Sequence, residues 1–331
     1  MKEFTYKDSG VDIAKGERAV ADVKSMIKST FSSNVLSSIG GFGGLFEVPA
    51  EYKKPVLVSS TDGVGTKLSV AVKADKHDTV GEDLVNHCIN DIAVLGAKPL
   101  YFLDYFGTAS LNESVFNQVI SGFVRGCKNS NVALVGGETA EMPGIYRDKD
   151  YDLCGTIVGI IEKDKIIHGD KIRKGDSLVG LQSNGLHTNG YSLAREVLFS
   201  RFDIDTYLDE LGKTIADELL RVHHCYLPEI QRSVSRYDVH GISHITGGGI
   251  VGNTSRIIPE GRSLDIDWGS WESQAVFDLI QKTGSVPVED MRKTFNLGIG
   301  LILILPEQDA QSCVAELNHE GTKAWLIGKV G

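Results

Sequence analysis

Two hydrophobic periods alternate along this chain. Val20, Val23 and Ile27 recur on one face of a polar stretch, which predicts a helix over 13–29. Asp12 stands where it could cap that helix or be free for other chemistry. Pro55-Val56-Leu57-Val58 is short, apolar and β-branched, and predicts a buried strand reaching Thr61. Leu84, Val85, Cys88, Ile89, Ile92 and Ala93 return at helical spacing behind Thr79-Val80-Gly81-Glu82, which has the spacing of a capping box. Gly96 and Pro99 end that helix. Residues 100–106 read as a strand. A second capping-box spacing, 110–113, precedes the helical stripe Val115, Phe116, Val119, Ile120, Phe123 and Val124. Strands are predicted at 132–135 and 151–161, then at 177–182, 301–305 and 323–330, with helices from Tyr191 and over 308–319. Strands and helices are mixed in both halves, and the fold class is α/β (α+β). The length, 331 residues, suits about two domains. The polar crossover around Lys163-Asp164-Lys165 and Arg173-Lys174-Gly175-Asp176 divides them, at 1–168 and 169–331.

The candidate chemistry sits where predicted strands end. Ser59-Ser60-Thr61-Asp62-Gly63-Val64-Gly65-Thr66-Lys67 joins an acid, two glycines, a hydroxyl and a lysine. Gly63 and Gly65 let the backbone approach a ligand, Asp62 suits a divalent cation, and Lys67 suits phosphate. The spacing is not that of a Walker loop, and a bare turn would use similar residues. Gly136-Gly137-Glu138-Thr139-Ala140-Glu141 follows the strand at 132–135 in the same style. Opposite the apolar stripe of the helix after Thr79 lie Asp83, Asn86, His87, Asn90 and Asp91. Such short polar side chains suit a metal shell, or a face hydrogen-bonded against another polar surface. Acids at Asp62, Asp91 and Glu138, gathered at one sheet edge, would call for Mg²⁺.

In the second half, Ser183-Asn184-Gly185-Leu186-His187-Thr188-Asn189-Gly190 leads into a helix, the arrangement that receives anions at helix N-termini. His187 suits an acid, a base or a structural residue. His244-Ile245-Thr246-Gly247-Gly248-Gly249 is a glycine turn able to nest a phosphate, or one that needs glycine only for backbone freedom. His223, His224 and Cys225 are rejected as a zinc site, because adjacent positions diverge and no further ligand has useful spacing. Gly40-Gly41-Phe42-Gly43-Gly44 reads as a lid or a close backbone crossing.

Composition narrows this little. Apolar content is 41% and charged content 24%, ordinary for a globular chain. The formal charge of −10 argues against nucleic-acid binding. No long apolar run predicts a membrane span or signal peptide. Five scattered cysteines form no metal or disulfide framework, and a cytoplasmic location is expected.

Taken together, these motifs resemble phosphoribosylformylglycinamidine cyclo-ligase, the aminoimidazole ribonucleotide synthetase family. The matching residues are Gly10-Val11-Asp12, 39–46, 62–67, 91–99, 136–144, 183–193, 244–249 and 295–300. Ser9 and Leu297 depart from the family's usual Ala and Met. The resemblance implies a two-domain synthetase-like fold, and a homodimer whose N-terminal sheets form a β-barrel. It implies ATP and Mg²⁺ as cofactors and a small nucleotide as substrate. Asp62, Asp91 and Glu138 would hold the metal. Gly63, Gly65, Thr66, Lys67, Gly136, Gly137 and Glu141 would join Asp62 at the nucleotide. His187, Thr188, Asn189, His244, Gly247, Gly248 and Gly249 would face substrate, and His187, Lys67 and Asn189 would serve the chemistry. Related kinases and synthetases, or a maturation factor that binds ATP without turning it over, are the competing readings. Of the related enzymes, selenophosphate synthetase usually carries a reactive Cys or selenocysteine near its N-terminus, and none lies before Cys88 here; thiamine-phosphate kinase is the other. A maturation factor that presents a C-terminal cysteine is opposed by the ending Lys329-Val330-Gly331.

Overall fold

The computed structural model describes residues 10–331. The first nine residues, including Ser9 and the segment expected to lack a signal peptide, lie outside the described residues. Helix α1 (Ile13–Lys28) is capped by the Asp12 carboxylate, which accepts from Lys15 N. Strand β1 (Pro55–Gly63) leads into helix α2 (Lys67–Ala74) and helix α3 (Val80–Ala93). Strand β2 (Lys98–Thr108), helix α4 (Glu113–Asn129), strand β3 (Ala133–Glu141) and strand β4 (Tyr151–Glu162) complete the first unit. The sheet order is β1-β4-β2-β3, with only β2 and β3 parallel. It is therefore a mixed sheet.

Helices α3 and α4 cover one face of this sheet over Phe102, Phe106 and Ile157, with Phe123 of α4 packing on Phe102, all buried. The two helices touch backbone to backbone, since a Cβ on Gly81 would lie 2.2 Å from the Val119 carbonyl. The opposite face is open at β1: exposed and half-buried positions alternate along it, and Leu57 is 60% exposed.

The second unit holds strand β5 (Ser177–Gln182), helix α5 (Tyr191–Phe199), the hairpin β6 (Tyr207–Leu208) and β7 (Lys213–Thr214), and helices α6 (Ile215–Leu219) and α7 (Leu227–Arg236). It continues with β8 (Gly241–His244), α8 (Gly249–Thr254), β9 (Leu264–Ile266), α9 (Ala275–Gly284), α10 (Val288–Thr294), β10 (Ile299–Leu305), α11 (Glu307–His319) and β11 (Ala324–Val330). Its sheet is antiparallel in the order β8-β10-β5-β11-β9. Every residue of β10 is buried, so this strand reads as a continuous apolar run rather than an alternation. Among the described residues, no helix is long and apolar enough to cross a membrane.

Several local expectations change. Asp62-Gly63 and Gly136 to Glu141 belong to strands rather than to turns beyond them. Thr79 forms no cap bond, and its hydroxyl is buried without a partner. Glu82 instead pairs with Arg125. Asn112, not Ser110, caps α4 by accepting from Ser114 N and Val115 N.

Candidate functional site

The polar face of α3 packs against the second unit, and the two form one hydrogen-bonded seam. Lys67, the first residue of α2, is wholly buried there. Its ammonium meets Asp83 at 2.8 Å and donates to the carbonyls of Arg221 at 2.6 Å and His187 at 3.3 Å. Burial pulls the Lys67 pKa down and pushes that of Asp83 up, each resisted by the partner's charge. All three ammonium protons are engaged, so Lys67 is placed as a strut between units rather than toward a phosphate. Asp83 also accepts from His223 N, Asn86 donates to the His223 carbonyl, and Asn90 spans His224 O and Tyr226 N.

A chain of side chains crosses the seam. Asp62 Oδ2 meets His87 Nε2 at 2.9 Å, and His87 Nδ1 meets Thr188 Oγ1 at 2.8 Å. Thr188 Oγ1 lies 3.2 Å from His223 Nδ1, and His223 Nε2 lies 3.1 Å from His244 Nε2. His244 Nδ1 closes on Asp91 Oδ1 at 2.8 Å. Both carboxylates can only accept. Three neutral imidazoles and one hydroxyl carry four protons, one fewer than these five links need. One added proton completes the chain. Burial opposes charge on His87, but the hydrogen bond and charge of Asp62 outweigh it and hold its pKa above the ordinary value. His223, and less so His244, are held below it, chiefly by burial. The carboxyls of Asp62 and Asp91 stay below the usual range: burial works against them, and His87 and His244 prevail.

His87, Asp91 and His244 each offer a ligand atom within 4.8 Å of the others. Asp62 and Asp91 keep part of their side chains exposed. These two carboxylates fit a hard cation that completes its shell with water and phosphate oxygens. Glu138 does not join them within one chain. Asp62 is in register with Gly155, Gly155 with Asp104, and Asp104 with Gly137. Glu138 is thus three strands away, about 14 Å at ordinary strand spacing. Glu141 is committed elsewhere, accepting from Asp12 N at 3.0 Å and Leu111 N at 2.7 Å. The amide of Gly63 is already bonded to the Asp62 carboxylate, while Gly65 has φ +66° and Thr66 Oγ1 meets Ser192 Oγ at 3.1 Å.

His187 is buried, not open to a cleft. It holds a left-handed φ of +61°, stacks on His223 with ring centroids 4.1 Å apart, and accepts from Asn184 N at Nε2. Burial drives its pKa well down, so the ring is neutral and its Nδ1 is a buried group without a partner. Asn189 lies beyond it: a Cβ on Gly247 would come 3.3 Å from Asn189 Oδ1, so the two predicted substrate loops meet here. The glycine turn is less open than expected. Gly248 N donates to Lys293 O and Gly249 N to Thr246 O, and a Cβ on Gly249 would sit 1.9 Å from Arg292 O. Of the three glycines, only Gly247 keeps its amide out of those turn bonds.

A second opening lies at the far strand. Gly136, Gly137, Glu138 and the loop Gly40 to Gly44 line a cleft of about 400 Å³ beside α1 and α4. The loop is tied at its base by the Val35–Phe46 bridge and by Leu36 N to Leu45 O, while Phe42 stands fully exposed at its tip. Sequence reasoning missed Asp104 in this cleft and His223 in the seam. His223 was set aside on the premise of a helix, whereas residues 221–226 lie outside any helix.

Residues 48–161 match the AIR synthase related protein N-terminal domain, and residues 173–331 match its C-terminal domain. The chain is 48% identical over 329 residues to phosphoribosylformylglycinamidine cyclo-ligase of Trichlorobacter lovleyi, covering 98% of this chain and 94% of that one. It is 46% identical to the protein of that name from Alkaliphilus oremlandii, covering 99% and 97%. Among solved structures, thiamine-monophosphate kinase of Stenotrophomonas maltophilia superposes with a TM-score of 0.71 at 17% identity, covering 95% and 93%. Hydrogenase maturation protein HypE in complex with ATP gives 0.65 at 19%, covering 98% and 88%. At such identities these structures speak for the fold alone. With two domains matched and relatives aligned nearly end to end, the chain belongs to the AIR synthase family, alongside the phosphoribosylformylglycinamidine cyclo-ligases.

Proposed function

We propose that this chain catalyses the ATP-dependent ring closure of formylglycinamidine ribonucleotide to aminoimidazole ribonucleotide, releasing ADP and phosphate, as a step of purine synthesis. The observation that carries the reading is the near full-length identity to relatives of that name. The γ-phosphoryl group of ATP passes to the formyl oxygen. An amidine nitrogen then attacks the activated carbon, and that oxygen departs as phosphate. Little covalent work falls to the protein, so positioning and charge neutralisation dominate.

Asp62 and Asp91 would hold Mg²⁺, which would offset the charge of the ATP phosphates. Gly136, Gly137 and Glu138 line the cleft that we assign to the nucleotide. Asn189 and Gly247 face the substrate, while His187 and Thr188 fix the loop that presents Asn189. Lys67 acts by holding that loop to α3. The division at 168/169 fits the stretch between β4 and β5. The open face of the first sheet supports a homodimer, and a cytoplasmic enzyme fits this chemistry.

The test is direct. The purified chain with Mg²⁺, ATP and formylglycinamidine ribonucleotide should yield aminoimidazole ribonucleotide and equimolar ADP and phosphate. No imidazole product at saturating substrate would refute the proposal.

A further inference from the structure

Asp104 is out of keeping with its surroundings. It lies on β2 between Phe102 and Phe106, and strand alternation turns all three toward the helices. Both phenylalanines are buried core residues. Asp104 instead remains partly exposed, because it lines the cleft under the Gly40 to Gly44 loop. The walls beside it are apolar: Val20 and Val23 from α1, Phe116 and Ile120 from α4, and Leu134. Among the described residues, no cation reaches its carboxyl and no other side chain hydrogen-bonds to it. Burial pushes its pKa up to about 7. The hydrogen bond that favours its ionised form comes from its own backbone N–H; a carboxyl kept in apolar surroundings with no side-chain partner is costly.

The backbone opposite makes room for it. A Cβ on Gly137 would come 2.2 Å from Asp104 Oδ1, so the glycine of Gly136-Gly137-Glu138 is required by this carboxyl. On the open side, Gly44 packs so closely on β3 that a Cβ there would lie 2.9 Å from Val135 Cγ2. The result is a slot with apolar walls and the Asp104 carboxyl at its floor, with Glu138 of β3 also on its lining. Such a slot suits a planar heterocycle bearing an amino group.

We propose that Asp104 reads the base of the nucleotide, accepting a hydrogen bond from the exocyclic amino group of adenine while the apolar walls hold the ring. The inference rests on the ATP reading above and assigns the base end of that site. It also gives Gly137 a different task from contacting phosphate: its missing side chain is the space Asp104 occupies.

Calorimetric titration of the full chain in Mg²⁺ tests this with two probes, ATP and purine riboside triphosphate, which lacks the 6-amino group. At pH 8.5, where the Asp104 carboxyl is ionised, the unmodified chain should bind ATP more tightly by roughly tenfold to a hundredfold, the worth of a hydrogen bond to a charged acceptor. Asp104→Leu should reduce ATP binding to the level of the purine riboside compound and leave the latter within about twofold. Equal affinity of the unmodified chain for both probes overturns the inference, as does an equal loss of both in Asp104→Leu. If the unmodified chain binds neither probe, the ATP reading itself has failed and takes this one with it. Should Asp104→Leu not fold, Asp104→Asn keeps the shape and a neutral acceptor and should retain a reduced preference for ATP. The two-probe comparison on the unmodified chain decides in any case.

Discussion

Replacing Lys67 by Met separates two roles for the lysine of Asp62-Gly63-Val64-Gly65-Thr66-Lys67. The side chain is buried and its three donors reach Asp83, Arg221 O and His187 O. Methionine fills a similar volume but leaves Asp83 in the seam with His223 N as its remaining donor. Removing one partner of a buried ion pair costs about 3–5 kcal/mol, because the other charge stays desolvated. For a unit of some 150 residues this is a fall in Tm of roughly 6–20 °C. Lys67→Met combined with Asp83→Asn removes both charges while keeping an acceptor for His223 N. The double variant should recover at least half of the loss. Urea and thermal unfolding of the two single variants and the double give the coupling directly. ATP affinity, measured below the unfolding range, should change less than threefold. A Lys67→Met protein as stable as the parent, but with ATP binding weakened more than tenfold, would refute the strut and restore Lys67 to the phosphate. The ~10-fold threshold corresponds to about 1.4 kcal/mol, well outside the error of either measurement.

Three further outcomes are expected. Asp91→Asn should lower kcat by at least ~100-fold by removing a charge from the metal site, and parental turnover would return Asp91 to a purely structural bond with His244. His187 and His223 are buried with pKa values well below the ordinary histidine value of 6.5. The unfolded chain therefore takes up protons below about pH 6.5 that the folded chain refuses, and the stability present above that pH is lost as pH falls, by up to ~1.4 kcal/mol per pH unit for each histidine. Urea midpoints at pH 7, 6 and 5 should fall accordingly, with a shallower slope in His223→Gln; a flat profile would contradict the buried neutral rings. Gly81→Ala places a methyl 2.2 Å from Val119 O and 2.6 Å from Phe123 N, and forcing α3 from α4 should cost about 1–3 kcal/mol in urea unfolding. A neutral result there would mean that the helix crossing gives way freely.

The elements with long periodic stripes were legible in the sequence. Val20, Val23 and Ile27 mark the buried face of α1, and the stripe from Leu84 to Ala93 marks that of α3. Short elements were not: α2, opened by Lys67, has eight residues, barely two turns, too few for a repeating stripe to stand out. The glycine motifs misled in a specific way. Gly136 and Gly137 look like turn residues, yet they lie in β3, where Asp104 on the neighbouring strand needs the space at Gly137. Local sequence carries no sign of that, since the partner is 33 positions away. The seam was half legible. The short polar side chains on α3 pointed to a packed polar surface, but His223 was invisible because its partners His87, Thr188 and His244 converge only in three dimensions. Glu138 was misplaced for the same reason: strand order, not strand-end composition, sets its distance from Asp62.

Strand order also bears on assembly. The face of the first sheet away from α3 spans four strands at about 4.8 Å each, some 19 Å, with Phe46 lying on Tyr101 of β2, and β1 supplies nine residues, about 30 Å of length. A flat footprint is then close to 570 Å², and the relief of side chains such as Leu57 brings it toward the ~800 Å² per partner of a standard stable interface. Along β1 this face exposes Pro55, Leu57, Ser59 and Thr61, with Leu57 60% exposed as its large apolar side chain. A second copy offers the same four strands and the same alternation, so the two faces are self-complementary under a two-fold axis. The protein should therefore sediment at twice the 35.9 kDa of one chain at micromolar concentration. Leu57→Arg places a charge in that face without touching the core, and should move the species toward 35.9 kDa while leaving the far-UV spectrum intact. A parental chain that sediments as a monomer would leave the open face unexplained by dimerisation. A Leu57→Arg variant that remains dimeric would move the interface away from this sheet.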